Sequence, residues 1–225
     1  RHAIDNNLDV LDVLKHHFTT TKKLLPAISI YHHKEVTAMD VFESMVATID
    51  SDGILKVSQI TEEQISEISR NAFAERISGS AIKFITLGQK LYLLITAKSM
   101  VHLFDVWENR VVGTTEGLPG GTVCIATEGN TFFLSPSGAD SRRVWVKQIR
   151  ELAAITSSTE SGGGSEETFA FSTLTNLSIG SSTKQMVPIG DQEHLAISTF
   201  DRGIYIFNYI TGRPIRLIPA PFHKG

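Results

Sequence analysis

The stretch Asp201–Asn208 reads DRGIYIFN, and three earlier stretches of the chain share its pattern. They are Asp52–Gln59 (DGILKVSQ), Lys98–Asp105 (KSMVHLFD) and Ser141–Gln148 (SRRVWVKQ). In each stretch a turn of small or charged residues comes first. Two apolar residues follow, separated by one residue, and an aromatic or polar pair ends the stretch. Alternation with a period of two residues predicts a β-strand. The chain therefore repeats one strand-centred unit.

The spacing of these units indicates the architecture. Their second apolar residues are Val57, Leu103, Val146 and Ile206, which follow one another at intervals of 46, 43 and 60 residues. Repeats of about 40–45 residues are typical of four-stranded β-propeller blades. Residues 157–167, SSTESGGGSEE, lie in the long interval and have the composition of a flexible loop. This loop and its flanks account for the excess of about 15–20 residues over a normal blade. We therefore predict a mainly β fold, a WD40-like propeller or partial propeller in its spacing.

Short apolar runs between turn-rich pieces supply the remaining predicted elements. Strands are predicted within residues 41–60, 82–149 and 167–218, with a hairpin turn at Asp50–Gly53. Helical spacing of apolar residues predicts an N-terminal helix within Leu8–Leu25 and an inter-blade helix over Thr61–Ile77. We expect a helical extension at residues 1–26, blades at residues 27–220 and a tail at residues 221–225.

The last unit resembles the end of a WD40 repeat. In that family a Ser and an Asp precede the strand, Trp-Asp closes it, and a Thr-Gly turn follows. The residues that occupy those places here are Ser198, Asp201, Phe207-Asn208 and Thr211-Gly212. Phe104-Asp105 is the next best match to the closing dipeptide. From about Val41 to Ile218 the chain resembles divergent WD40-like propellers, and this resemblance implies a scaffold for protein–protein interaction.

The number of units predicts assembly with other proteins. Propellers have about 4–8 blades, and four is the minimum for a closed ring. Three routes remain open: the rest of the ring lies outside this sequence, a partner supplies blades, or the four units close in an atypical way. An open edge exposes unpaired strand backbone and favours binding of another chain. We therefore expect other protein subunits as partners.

Composition argues against several classes of function. A net charge of −3 gives no overall attraction to phosphate backbones or anionic lipid. No apolar stretch approaches the roughly 20 residues that cross a bilayer, so no membrane insertion is expected. The one cysteine, Cys124, cannot form an internal disulfide and lies in an apolar run, which favours a reducing compartment. We expect an intracellular protein, cytoplasmic or nuclear.

Side chains that carry chemistry do not converge in the sequence. Cys124 and His194 form the one Cys/His combination worth naming as a nucleophile pair, and a buried core thiol is the better interpretation. The pairs His16-His17 and His32-His33 lack the additional spaced ligands of a zinc site. We expect no catalytic residue, no cofactor and no metal.

One modest basic cluster is a candidate for recognition. It consists of Arg142, Arg143, Lys147 and Arg150, and alternation puts Arg143, Trp145 and Lys147 on one strand face opposite Val144 and Val146. The simplest interpretation is a solvated strand face, although an aromatic residue such as Trp145, like Trp107 elsewhere, is also typical of interfaces. The leading hypothesis is a non-catalytic interaction scaffold. The alternative is a nucleic-acid-associated propeller that binds phosphate through this basic face.

Overall fold

The computed structural model describes residue 30 and residues 32–61, 64–72, 81–97, 99–118, 121–136, 142–152, 168–200 and 203–219. These residues form four antiparallel sheets of four strands each. The predicted N-terminal helix, the loop at residues 157–167, the tail at residues 221–225 and Asp201 lie outside the described residues. No helix of the length and apolarity needed to cross a bilayer occurs in the described ranges.

Each sheet is one blade, built from four strands that are consecutive in the chain. Blade 1 contains β1 (Val36–Phe42), β2 (Met45–Asp50), β3 (Ile54–Ile60) and β4 (Ile65–Ala72). Blade 2 contains β5 (Ile82–Leu87), β6 (Lys90–Ala97), β7 (Met100–Asp105) and β8 (Arg110–Glu116). Blade 3 contains β9 (Thr122–Glu128), β10 (Thr131–Pro136), β11 (Arg143–Leu152) and β12 (Thr168–Ser178). Blade 4 contains β13 (Thr183–Pro188), β14 (His194–Thr199), β15 (Gly203–Asn208) and β16 (Arg213–Ile218).

The turn at Asp50–Gly53 shows how local sequence sets these boundaries. The Asp50 carboxylate accepts hydrogen bonds from the backbone N–H groups of Ile54 (2.9 Å) and Asp52 (3.1 Å). Gly53 has φ of 82°, a left-handed conformation that costs glycine little. The predicted hairpin between β2 and β3 is confirmed.

The blades follow one another in chain order. The first strand of each blade packs against the first strand of the next, β1 on β5, β5 on β9 and β9 on β13. One apolar cluster fills the space between blades 1 and 2, a second the space between blades 2 and 3, and a third the space between blades 3 and 4. Within the described ranges β1 and β13 have no comparable packing. The four blades therefore form an open arc, with one terminal face on blade 1 and another on blade 4.

A bulge recurs at one position in every blade. The pairing of the third strand with the fourth shifts immediately after Val57, Leu103, Val146 and Ile206, the four second apolar residues of the sequence repeat. The extra residues in the fourth strands are Ile68, Val112, Leu174 and Ile215, all aliphatic. This shared irregularity shows that the sequence repeat and the structural repeat have the same register.

The predicted inter-blade helix over Thr61–Ile77 is wrong where the structure describes it. Residues 65–72 form β4, which pairs with β3 and completes blade 1. Ile65 and Ile68 are three residues apart because Ile68 is the bulge residue, which breaks the two-residue alternation of a strand. Ile68 packs against the cluster between blades 1 and 2. A bulged strand thus imitates the spacing of an amphipathic helix.

Candidate interaction surface

Each blade has two faces, and their environments define the site. We call the face toward the preceding blade the leading face and the face toward the following blade the trailing face. The two repeated apolar residues of each third strand lie on the trailing face, and we call them the anchor pair. The anchor pairs are Leu55/Val57, Val101/Leu103, Val144/Val146 and Ile204/Ile206.

The first three anchor pairs are fully buried against the next blade. All six side chains have 0% exposure. Leu55 and Val57 share their cluster with Phe104 of blade 2. Similarly, Val101 and Leu103 share a cluster with Phe132 of blade 3, and Val144 and Val146 share one with Phe207 of blade 4. The anchor pair therefore works as the contact between consecutive blades.

The anchor pair of blade 4 has no such cover. Ile204 is 39% exposed, and Ile206 is half-buried. Strand register puts Val187 and Ala196 beside Ile206, and Ser198 and Ile218 beside Ile204, on the same face. Val187 and Ile218 are also exposed. An apolar strip thus crosses the trailing face of blade 4 from its innermost to its outermost strand.

Basic side chains border this strip. Arg216 pairs in register with Ile206, and Arg213 pairs with Asn208, so both lie on the outermost strand beside the anchor strand. Both residues are exposed. Apolar surface rimmed by polar groups is typical of protein interaction sites.

The other terminal face of the arc, the leading face of blade 1, has a polar group on its two central strands. Its residues Thr48, Asp50, Lys56 and Ser58 are polar or charged, and all four are buried. The two ring nitrogens of His32 bond to two of these residues. Nδ1 lies 3.0 Å from Asp50 Oδ2, and Nε2 lies 2.8 Å from Thr48 Oγ1. Although burial raises the pKa of Asp50, the hydrogen bonds from Ile54, His32 and Asp52 outweigh it and lower the pKa overall. On the first strand of the same face, Met39 pairs with Thr48 and Val41 pairs with Val46, and these two apolar side chains are 64% and 55% exposed.

The predicted basic face does not form as a solvated surface. Arg142, Arg143 and Arg150 are exposed, but Lys147 is only 5% exposed and Trp145 packs against the cluster between blades 2 and 3. Lys147 Nζ donates hydrogen bonds to the Glu116 carbonyl and to Thr115 Oγ1. It also lies 5.5 Å from the centre of the Trp145 ring. Alternation identified the shared face of Trp145 and Lys147 correctly, but blade 2 covers that face.

Trp107, the other aromatic candidate, remains on the surface. It lies in the turn between β7 and β8 and is 62% exposed. Its backbone N–H and that of Glu108 donate to Asp105 Oδ1, both at 2.8 Å, which fixes the turn while leaving the indole in solvent. On the far side of the same turn, Asn109 accepts a hydrogen bond from Ser69 of blade 1.

The residues that matched the WD40 pattern occupy equivalent positions in blades 2 and 4. Phe104 and Phe207 are buried and follow the anchor pair, pointing to the preceding blade. Asp105 and Asn208 each accept a backbone N–H from the turn that follows, and Asn208 Oδ1 lies 2.8 Å from the Thr211 nitrogen. Ser198 lies on the trailing face of blade 4, where its hydroxyl donates to the Gln185 carbonyl at 3.4 Å.

Other polar groups are engaged in joining blades. A hollow of about 210 Å³ is lined by β1, β5 and β9. In this hollow the Asp40 carboxylate accepts hydrogen bonds from Lys83 Nζ (2.7 Å) and from the Phe84 N–H (2.8 Å).

The side chains of Cys124 and His194 are each accounted for separately. Burial raises the pKa of the Cys124 thiol, which disfavours the thiolate. The Nδ1 atom of His194 bonds to Asp191. Among the described residues no group of three or more His, Cys, Asp or Glu is arranged to hold a metal.

The trailing face of blade 4 was missed by sequence reasoning. The signal was the shared pattern itself, because Ile204 and Ile206 hold the places of Leu55 and Val57 in the first unit. Finding it required knowing that each anchor pair points to the next blade, which only the assembled structure supplies.

Comparison with known proteins identifies the fold. The chain is similar to the β-propeller domain of Cps50 (Swd1) from Myceliophteria thermophila, with a TM-score of 0.61 and 12% identity over 86% of this chain and 63% of that domain. It is also similar to the computationally designed Ika4 protein, with a TM-score of 0.54 and 14% identity over 80% of this chain and 96% of that one. No protein-family model and no curated protein sequence matches the chain. The similarity shows a β-propeller fold.

Proposed function

We propose that this chain is a non-catalytic interaction scaffold, a propeller subunit within a larger intracellular protein complex. The observation that carries the proposal is the uncovered anchor pair Ile204/Ile206, since the same pair is fully buried in the other three blades. A partner protein binds on the trailing face of blade 4 and excludes water from Val187, Ile204 and Ile218. Burying exposed apolar side chains contributes about 25 cal/mol per Å² of area removed from water.

The proposal includes descent from divergent WD40 repeats. Two features support it: the buried Phe104 and Phe207 after the anchor pairs, and the turns organised by Asp105 and Asn208. In such an assembly the rigid arc presents its terminal face to the partner, while the exposed Trp107 offers a second contact at the rim of blade 2.

The nucleic-acid alternative is not proposed. Lys147 was one of the four cations that it required, and that ammonium group is committed to the Glu116 carbonyl inside the interface with blade 2. The remaining guanidinium groups of Arg142, Arg143 and Arg150 belong to a chain of net charge −3.

Purification from the native source tests the scaffold function. Tagged wild-type chain, Ile204→Asp and Val111→Asp are compared by light scattering and quantitative mass spectrometry. Val111 on β8 is the matched control because it is also 39% exposed. The wild type and Val111→Asp are expected to retain a stoichiometric protein partner, and Ile204→Asp is expected to lose it. A wild-type chain that purifies as a lone monomer would contradict the proposal. A partner that is retained equally by the Ile204→Asp variant would also contradict it.

A further inference from the structure

We infer that the partner adds an extended, acidic β-strand to the outer edge of β16. This inference rests on the proposed scaffold function and names the chemistry of the partner segment that meets blade 4. β16 is the outermost strand of its sheet, and among the described residues it pairs with β15 alone. A strand in that position offers backbone N–H and C=O groups on its other side, to which an extended segment can add.

The outermost strands of the other blades are less available than β16. All six residues of β16 are exposed. In contrast, β4, β8 and β12 each contain buried or half-buried residues, among them Ile68, Val112 and Leu177, which pack into the clusters between blades. The edge of blade 4 is therefore the most accessible of the four.

Charge also distinguishes β16 from the other outermost strands. It carries Arg213 and Arg216 and no acidic residue, and the neighbouring β15 carries no charge. One basic and one acidic residue balance each other in β4 and in β8, and β12 has no charged residue. Among these four strands β16 is thus the one with a net positive charge, in a chain of net charge −3. Acidic side chains on the partner strand complement it.

Strand register specifies where those acidic side chains belong. The side chains of Arg213, Arg216 and Ile218 lie on the trailing face, in register with the row that contains the anchor pair. The two arginines are three residues apart and share this face because the bulge residue Ile215 lies between them. An antiparallel partner strand places an apolar residue beside Ile218 and acidic residues beside the two arginines. From its N-terminus we expect an apolar residue, an acidic residue two positions later, and a second acidic residue two or three positions after that.

A second copy of this chain is a poor partner for the edge. Two β16 strands side by side would bring four guanidinium groups together, and like charges on neighbouring strands are destabilising. Charged residues and proline on an edge strand discourage pairing with identical strands, and β16 contains Pro214 as well as its two arginines. The same arginines favour an acidic strand.

Charge reversal tests the chemistry of the segment. The partner that copurifies with the tagged chain is sequenced, and its affinity is measured for the wild type, Arg216→Glu and Arg213→Glu/Arg216→Glu. Arg150→Glu is the control, because Arg150 is an exposed arginine on β11. The double variant should bind about tenfold or more weakly, Arg216→Glu should show a smaller loss, and Arg150→Glu should bind like the wild type. Reversing the acidic residues of the partner segment should restore binding. Unchanged affinity in the double variant would overturn the inference.

Amide hydrogen exchange, followed by NMR, tests the added strand itself. In the complex the outward-facing amides of residues 215–218 should exchange about tenfold or more slowly, because they gain backbone acceptors, while those of β8 should not change. Exchange as fast as in the isolated chain would contradict strand addition. Protection already present in the isolated chain would overturn it too, since a segment of this polypeptide would then occupy the edge.

These measurements separate failure of the inference from failure of the scaffold function. A partner that is lost with Ile204→Asp and retained by Arg213→Glu/Arg216→Glu leaves the scaffold function standing and overturns the acidic strand. A partner with the opposite behaviour supports the strand and contradicts the anchor pair as its contact. If no partner depends on Ile204 or on the two arginines, both proposals fail.

Discussion

Ile204 in blade 4 occupies the position that Leu55 occupies in blade 1, yet Leu55 is fully buried and Ile204 is 39% exposed. Both residues are the first member of an anchor pair and both point to the trailing side of their sheet. The difference lies in what comes next. Blade 2 covers Leu55, and the described part of the chain contains no blade that covers Ile204.

This difference in exposure predicts that truncating the two side chains to alanine lowers the free energy of unfolding by unequal amounts. Leu55→Ala should lower the free energy of unfolding by about 2–5 kcal/mol, because it removes apolar contacts and leaves a cavity between two blades. Ile204→Ala in the isolated chain should change it by less than about 1 kcal/mol, since its side chain is already partly hydrated. Urea unfolding followed by circular dichroism measures both values. Equal losses would mean that Ile204 is covered in solution.

The turn after β7 provides a second prediction. Asp105→Ala should lower the free energy of unfolding by about 1–3 kcal/mol, because the N–H groups of Trp107 and Glu108 lose their acceptor. Asp105→Asn keeps a side-chain oxygen and should lose less. Thermal or urea unfolding compares the two variants, and a greater loss for Asp105→Asn would contradict the role given to this acceptor.

The buried network of blade 1 predicts a pH dependence. Because the pKa of Asp50 is lower in the folded state than its usual value of 3.8, its carboxylate stabilises the fold above that pH. The contribution is lost as the pH falls below 3.8 and through the lower pKa of the folded state. Asp50→Asn should therefore be less stable than the wild type at pH 7, and the difference should shrink toward pH 2. Urea titrations at a series of pH values check this, and a difference that does not vary with pH would contradict it.

Because Lys147 is buried between blades, we expect its replacement to change the stability of the fold and not the binding of nucleic acid. Lys147→Ala should lower the free energy of unfolding by about 1–3 kcal/mol, because it removes a buried side chain whose ammonium group donates to the Glu116 carbonyl and the Thr115 hydroxyl. Arg150→Ala on the same strand is exposed and should change stability by no more than about 0.5 kcal/mol.

Polyanion binding provides the second measurement on these two variants. Anisotropy titrations with a labelled oligonucleotide are expected to show weak binding at most, the same for the wild type and Lys147→Ala. Salt-sensitive binding that falls with Lys147→Ala would restore the nucleic-acid interpretation.

The sequence predicted the strands and their blade spacing because alternation and turn residues are local properties. The anchors Val57, Leu103, Val146 and Ile206 proved to be structurally equivalent down to the bulge that follows each. The error over Thr61–Ile77 came from that same bulge, since the extra residue Ile68 changes the apparent period. Local periodicity cannot distinguish a bulged strand from one helical turn.

The sites were less predictable because they depend on neighbours in space. Alternation put Trp145 and Lys147 on one face, but whether that face meets water or blade 2 follows from the packing of β11 near β8. The same holds for Ile204 and Ile206, whose sequence pattern is that of a buried pair. Their exposure follows from the open end of the arc.

Cysteine labelling of the isolated chain tests the open arc most directly. In a Cys124→Ser background, a thiol at Ile204→Cys is compared with one at Val144→Cys, the equivalent and fully buried position of blade 3. The account predicts rapid reaction with a soluble thiol reagent at position 204 and slow reaction, limited by unfolding, at position 144. Equally slow reaction at both positions would show that the anchor pair of blade 4 is covered, and would contradict the docking face on which the proposals rest.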